Sequence, residues 1–404
     1  MKIYYGKAVY DKKEIFAALN VLKKKSLNLI DGPSVKDLEK KIAKLFGKKY
    51  GLMVNSGSSA NLLALSSLKL KRGSEIITPT LTFSTTVAPI YQLGLIPHFI
   101  DVEPSSFVSR LDQIEKCINK KTSAIMIPNL LGNVPDWSKI YKIARKYKLK
   151  VIEDSADTIG YTYKNKNLGK YSDISTNSMY ASHIITGAGS GGMVCFNDKK
   201  LYEFAKLLRG WGRSSAIFNE SEGIYKRFNK KVDGIPYDGK YIFSEMGYNF
   251  LPSEISAAFA LEQLKKLKKN ISIRNKNFEK INNYFKRYKN LFTLPTQFKY
   301  LKTGWLAYPL IIKNDKLIKR SSLQIFLEKN NIQTRTIFTG NILRQPIMKS
   351  KVYKKCKSSH INSDNVMKNG LLIGCHHGLS NKDINYMLSK FDKFFKRFNL
   401  QSLT

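Results

Sequence analysis

Three short segments of the chain carry residue types able to do chemistry. The first is Asn55-Ser56-Gly57-Ser58-Ser59-Ala60-Asn61, which follows an apolar run and opens a helical pattern. A Gly-Ser-Ser turn at a helix start offers free backbone N–H groups, hydroxyls and the positive end of the helix dipole, all suited to a phosphate. An ordinary serine cap at a strand-to-helix turn has the same sequence. The second segment is Val151-Ile152-Glu153-Asp154-Ser155-Ala156-Asp157, an apolar strand ending in acids. A carboxylate at the carboxyl end of such a strand can pair with a protonated ring nitrogen, as pyridoxal enzymes require, or cap the next helix. The third runs from Ser178 through His183 to the glycines at 187, 189, 191 and 192. A glycine-rich turn lets backbone approach a ligand closely, and imidazole is an acid and base near neutral pH, although a lone histidine is more often structural.

The elements around these segments predict a fold. Short β-rich runs at Tyr50–Val54, Glu75–Thr78, Ile96–Val102, Ser123–Pro128, Lys150–Glu153, Ile174–Ser178 and Gly192–Phe196 alternate with helical stretches such as Ala60–Leu70 and Trp137–Tyr147. That alternation predicts βαβ units and a mostly parallel sheet. After Pro252 the pattern turns helical (Ser253–Lys269, then Asn275–Lys289). It ends in a mixed segment with strands at Ala307–Ile312 and Ile332–Ile337 and a closing helix over Lys382–Phe398. The expectation is a large α/β domain over 1–265 and a smaller C-terminal α+β domain over 266–404.

Composition narrows the function. Of 404 residues, 43% are hydrophobic and 25% charged, which excludes wholesale disorder. The N-terminus lacks the apolar core of a signal peptide and no apolar run reaches a membrane span, so a cytoplasmic protein without a membrane partner is expected. Cys117, Cys195, Cys356 and Cys375 lie far apart, against both a disulfide scaffold and a zinc ribbon, and no metal site is expected. The formal charge of +39 rests on 57 Lys and 12 Arg spread along the chain. Nucleic-acid readers concentrate Arg in patches beside stacking aromatics, so the spread favours a solvated surface that attracts an anionic substrate.

Taken in order, the three segments resemble the DegT/StrS family of sugar-nucleotide aminotransferases, pyridoxal-phosphate enzymes of the type I (aspartate aminotransferase-like) fold. The resemblance runs from about Gly32 to Leu264 and resumes near the C-terminus. It includes Gly73-Ser74-Glu75-Ile76-Ile77-Thr78-Pro79, Thr82-Phe83-Ser84-Thr85-Thr86 and Gly247-Tyr248-Asn249. One departure matters most. The family's aminotransferases place at His183 the lysine that bonds the cofactor, and imidazole cannot form an imine with an aldehyde. The same exchange marks the family's 3-dehydratases of 4-keto-6-deoxy sugars, which hold pyridoxamine phosphate noncovalently. Some of these carry an iron–sulfur cluster on cysteines just after an Arg-Gly-Trp-Gly-Arg segment. Here Arg209-Gly210-Trp211-Gly212-Arg213 is followed by no nearby cysteine, so no cluster is expected.

The resemblance therefore implies a C3-dehydratase of a nucleotide-linked, GDP-linked by likeness, 4-keto-6-deoxy sugar. Glutamate regenerates the amine form of the cofactor, and ammonia and 2-oxoglutarate are released. It implies His183 as the catalytic residue and Asp154 as partner of the ring nitrogen. Phe83 and Ala156 flank the ring, Gly57, Ser58 and Ser178 hold the phosphate, and Asp157 contacts the ring hydroxyl. Asn249 matches a residue that reaches the neighbouring subunit's phosphate, which implies a homodimer with shared sites. Arg209, Arg213, Arg335 and Arg344, with Asn341 beside them, are candidates for the substrate's pyrophosphate or the glutamate carboxylate, since Arg suits planar bidentate contacts. An aminotransferase is the nearest alternative. A nucleic-acid-binding regulator on a degenerate aminotransferase fold is the other, but the residues before Gly32 are too few for a DNA-binding module.

Overall fold

The computed structural model describes residues 2–24, 29–218, 223–298, 300–357 and 360–398. Its centre is an eight-stranded sheet in the order Tyr50–Val54, Gly192–Phe196, Ile174–Ser178, Lys150–Ser155, Thr122–Pro128, Glu75–Pro79, Ile96–Ile100 and Lys354–Lys355. The Gly192–Phe196 strand pairs antiparallel with both of its neighbours, and the other five pairings are parallel. Seven of the eight strands are the runs expected from sequence. Helices cover both faces, which is why Ile125-Met126-Ile127 and Val151-Ile152 are apolar without alternation and fully buried. One apolar layer packs Leu63, Ile76 and Met126 on one face. Another packs Ile42, Ile125 and Val151 on the opposite one.

A second core lies toward the C-terminus. It joins a three-stranded antiparallel sheet, Phe292–Thr293, Tyr308–Ile312 and Gly370–Ile373, to the helix Asn381–Arg397. Its aromatic residues interlock, with Phe285 edge-on to Phe391 at 5.0 Å and Phe278 stacked on Trp305 at 4.6 Å.

Two element expectations are corrected here. The two helices expected after Pro252 are one helix, Glu254–Phe285, because residues 270–274 contain no Pro or Gly and Asn270 and Arg274 are buried. This helix crosses the expected 265/266 boundary unbroken, placing Ala257 and Leu267 in the large-sheet core and Ile281 and Phe285 in the second. Ile332–Ile337 is not a strand of either sheet. It makes single bridges, Ile332 to Ile3 and Arg335 to Leu372. Finally, Lys354–Lys355, from the C-terminal part of the chain, extends the edge of the large sheet beside His98 and Phe99.

Glu254 ties the start of the long helix to another. Its carboxylate accepts the backbone N–H groups of Gly32 (2.9 Å), Ser34 and Val35 (3.2 Å), which have no partners inside the helix Pro33–Phe46. Glu254 is 2% exposed, so no water replaces it. Glu254→Ala is expected to lower stability by about 2–4 kcal/mol, the scale of several buried donors left unpaired. Glu254→Gln, which keeps one carbonyl acceptor, should cost less. Urea denaturation midpoints check this, and an unchanged midpoint for Glu254→Ala contradicts it.

Candidate active site

The parallel strands end together, and beyond the ends of Thr122–Pro128, Lys150–Ser155 and Ile174–Ser178 opens a cavity of about 1060 Å³. Strand alternation sends Glu153 and Asp154 to opposite faces. Glu153 faces away from the cavity into a polar cluster with Asn129, Ser155 and Ser172. Asp154 lies at the base of the cavity, 4% exposed. Its Oδ2 accepts from Asn61 Nδ2 at 2.8 Å and Thr86 Oγ1 at 2.7 Å, and its Oδ1 accepts the Ala156 N–H at 3.2 Å. All three donors are neutral. Burial raises the carboxyl above its ordinary value, and the hydrogen bonds from Thr86, Asn61 and Ala156 oppose the rise.

One wall is the start of the helix Gly57–Ser67, capped by Ser56, whose Oγ accepts the Ser59 N–H at 3.1 Å. Gly57 and Ser58 line the cavity at this positive helix end. Gly57 passes so close to the end of the Ile174–Ser178 strand that a Cβ on it would lie 2.5 Å from Ser178 Cβ. Only glycine allows that approach. Ala156 lines the opposite side, and Phe83, 53% exposed, meets Phe338 edge-on at 6.4 Å across the mouth.

His183 stands on the loop between Ile174–Ser178 and Gly192–Phe196. Its Nδ1 lies 3.2 Å from the Ser178 carbonyl, which can only accept, so Nδ1 carries the proton and Nε2 keeps its lone pair. Nε2 lies 3.8 Å from Asp157 Oδ1, and Asp157 Oδ2 accepts the Leu131 N–H at 2.8 Å. Burial pushes the Asp157 carboxyl up to about 7, against the Leu131 hydrogen bond. Burial likewise pushes the His183 imidazole down to about 4; the Ser178 hydrogen bond opposes this and the nearby charge of Arg274 adds to it. The ring is thus a neutral base at neutral pH.

Most of the candidate arginines do not line this cavity. Arg209 is 2% exposed and spent on structure, donating to Asp31 (2.8 Å), Glu39 (3.2 Å) and the Met53 carbonyl (2.8 Å). Arg213 stacks over Trp211 at 4.3 Å and Tyr241 at 5.1 Å, away from the cavity. Arg344 forks onto Asp364 at 2.7 and 2.6 Å, and Asn341 donates to the same carboxylate at 2.8 Å, so that acid consumes both. Arg335 alone of the five lines the cavity. Asn249 is exposed outside it, bridged to Gly210. Sequence reasoning assigned no role to Asn61 and Thr86, although both sit in segments it singled out. It also missed the N-terminal residues Tyr5 and Lys7, which line the cavity.

The depressed imidazole has a sign that can be checked. Folding disfavours its protonation relative to the ordinary value of 6.5, so its share of stability is complete above that pH and is lost as pH falls toward about 4. In cofactor-free protein, the His183 ring resonances are expected to titrate near pH 4 by NMR. A midpoint near 6.5 contradicts the burial described.

Known proteins resemble this chain in sequence and fold. The profile of the DegT/DnrJ/EryC1/StrS aminotransferase family matches residues 9–392. The lipopolysaccharide biosynthesis protein RfbH of Salmonella typhimurium is 35% identical over 368 residues, 88% of this chain and 84% of that protein. The GDP-4-keto-6-deoxy-D-mannose 3-dehydratase of Escherichia coli O55:H7 is 34% identical over 394 residues, 94% of this chain and 97% of that protein. Among solved structures, the E. coli GDP-4-keto-6-deoxy-D-mannose-3-dehydratase with bound hydrated PLP superposes with a TM-score of 0.85 at 31% identity, covering 96% of this chain and 100% of that one. A GDP-4-keto-6-deoxymannose-3-dehydratase with a trapped PLP-glutamate geminal diamine superposes with the same score at 30% identity, covering 96% and 99%. With the profile spanning nearly the whole chain, the chain belongs to the DegT/DnrJ/EryC1/StrS aminotransferase family.

Proposed function

We propose that this chain is a 3-dehydratase of a nucleotide-linked, GDP-linked by relationship, 4-keto-6-deoxy sugar. It uses pyridoxamine phosphate that glutamate regenerates, and it releases ammonia and 2-oxoglutarate. One observation carries the reading: a histidine, with Nδ1 pinned and Nε2 free, stands where an aminotransferase of this family needs a lysine. The relatives named as 3-dehydratases and the solved structures holding PLP and a PLP-glutamate adduct support it.

The residues fit the cofactor. Asp154 is a buried carboxylate with only neutral donors, the complement of a protonated pyridine nitrogen. Gly57 leaves a cradle that any side chain would fill, beside free N–H groups at a helix start and the Ser178 hydroxyl, the complement of a phosphate. Phe83 and Ala156 would flank the ring, and Asp157 would face its hydroxyl. When bound, pyridoxamine phosphate supplies the amine that condenses with the sugar ketone and a ring able to take up an electron pair.

The chain supplies placement and proton transfer. With the cofactor bound, Asp154 would hold a proton on the ring nitrogen. His183 Nε2 would be placed to take a proton beside the cofactor amine and, as imidazolium, to give it to the C3 hydroxyl as that group leaves. One imidazole acts as base and then acid because its other nitrogen stays fixed to Ser178. Low exposure around Asp154 and Asp157 keeps water from competing for that proton.

A homodimer with shared sites belongs to the same reading. Asn249 is exposed, and before it Ile224, Tyr225, Ile235, Tyr237 and Met246 stand exposed on and around the hairpin Lys230–Val232/Ile235–Tyr237. Such an apolar patch suits a second copy. Among the described residues no helix is long and apolar enough to cross a membrane, in keeping with work on a nucleotide sugar in the cytoplasm.

The test is product analysis. With glutamate and a panel of GDP-, CDP- and dTDP-linked 4-keto-6-deoxy sugars, the native protein should release ammonia and 2-oxoglutarate in equal amounts with at least one sugar. His183→Asn should lower ammonia release by about 10²–10⁴-fold, the range for a lost general acid–base. Nitrogen retained in a 4-amino sugar by the native protein, or full ammonia release by His183→Asn, contradicts the assignment.

A further inference from the structure

The cavity is electrically divided. Its carboxylates, Asp154 and Asp157, are 4% and 5% exposed at its base. Among the described residues that line it, the lysine and arginine side chains are those of Lys7 and Arg335, both exposed and so at the mouth. Neither has a carboxylate partner among the described residues. Arg335 donates through Nη1 to its neighbour's carbonyl, Thr334, at 2.8 Å and sits 5.7 Å from the Tyr5 ring, which leaves the rest of its fork unused.

Lys7 is not on a loose terminus. Ile3 exchanges backbone hydrogen bonds with Asn331 and Gln333, both at 2.8 Å, and Gln333 Oε1 accepts the Tyr5 N–H at 3.1 Å. His376 accepts the Gly378 N–H on Nδ1, so its Nε2 carries the proton that goes to the Tyr4 carbonyl at 3.1 Å. Gly6 then lies against the residue before His183: a Cβ on it would stand 2.8 Å from Ser182 Cβ. Past Lys7, the Val9 carbonyl accepts from Gln263 at 3.0 Å. The segment is therefore fixed on both sides of Lys7, and its lysine stands at a set place on the wall that carries the catalytic loop.

We propose that Lys7, together with Arg335, binds the pyrophosphate of the nucleotide-sugar substrate. The inference rests on the function proposed above and adds a residue and a direction to it. The pyrophosphate leaves the sugar from C1, across the ring from the C4 that must reach the base of the cavity near His183. A sugar held that way puts its phosphates toward the mouth, where two unpaired cations of different shape wait. Arg335 offers a planar fork to two oxygens and Lys7 a point charge to a third.

The test uses the whole protein and reads binding without turnover. GDP, dTDP and CDP are titrated by calorimetry into the native protein and into Lys7→Met and Lys7→Arg. The nucleoside diphosphate that binds best is expected to bind Lys7→Met at least about tenfold more weakly, the scale of one lost charge-assisted contact. Lys7→Arg should recover most of that loss, which a merely structural role for an exposed side chain would not produce. Equal affinities for the native protein and Lys7→Met overturn this inference alone. A weakened response of Lys7→Met to glutamate with unchanged nucleotide affinity also overturns it, assigning the lysine to the amino donor instead. A native protein that binds none of the three diphosphates overturns the proposed function together with this inference.

Discussion

A carboxylate buried without a cation is the constraint around which this structure is arranged. Leaving Asp154 unpaired in the interior would cost several kcal/mol, and neutral hydrogen bonds only partly offset that. Each donor comes from a different part of the chain. Asn61 is one turn into the helix Gly57–Ser67, and its carbonyl in turn accepts from Thr176 on the adjacent strand at 2.6 Å. Thr86 belongs to the helix Ser84–Gln92 and itself accepts from Thr82 at 2.8 Å. Holding Asp154 thus requires the parallel strand order and the placement of two helices. What this network cannot supply is a positive charge, and that requirement sets the chemistry of whatever completes the site.

The reactive histidine depends on the same frame. Ser178 ends the strand next to Asp154's, and its carbonyl fixes the tautomer of His183 while its side chain crowds the helix start at Gly57. In the proposed function, one strand end therefore couples the phosphate cradle to the proton-transfer group. The loop that follows closes on itself through the Met179 and Gly191 backbone, so His183 is carried by the sheet and not by a free loop. Acid at the base, base on the loop and cations at the mouth form a gradient that, in the proposed function, would orient a substrate with a ketone at one end and phosphates at the other.

Much of this was legible in the sequence, for physical reasons that differ by element. Strands such as Thr122–Pro128 and Gly192–Phe196 are readable because burial on both faces makes them mostly apolar runs, and Asp154 because it lies at the end of such a strand. The helix capped by Ser56 is readable from local cap chemistry. Pairing between distant residues is not readable. Arg209 looked free for substrate because nothing in its neighbourhood reveals Asp31 and Glu39, and Arg344 and Asn341 looked free because Asp364 is 20 and 23 residues away. Lys7 was lost among evenly spread lysines, since only the folded chain shows which of them lines the cavity. The expected break near Asn270 failed because buried polar partners, such as the Trp305 carbonyl for Arg274, keep polar residues inside a continuous helix.

The central claim, that Asp154 exists to keep a proton on a ring nitrogen, is most directly tested by the nitrogen itself. Pyridoxal phosphate labelled with ¹⁵N in the ring, bound to the native protein, is predicted to show the chemical shift of a protonated pyridinium across pH 6–8. Bound to Asp154→Asn, it is predicted to show the shift of an unprotonated ring. The same shift in both proteins would contradict the account.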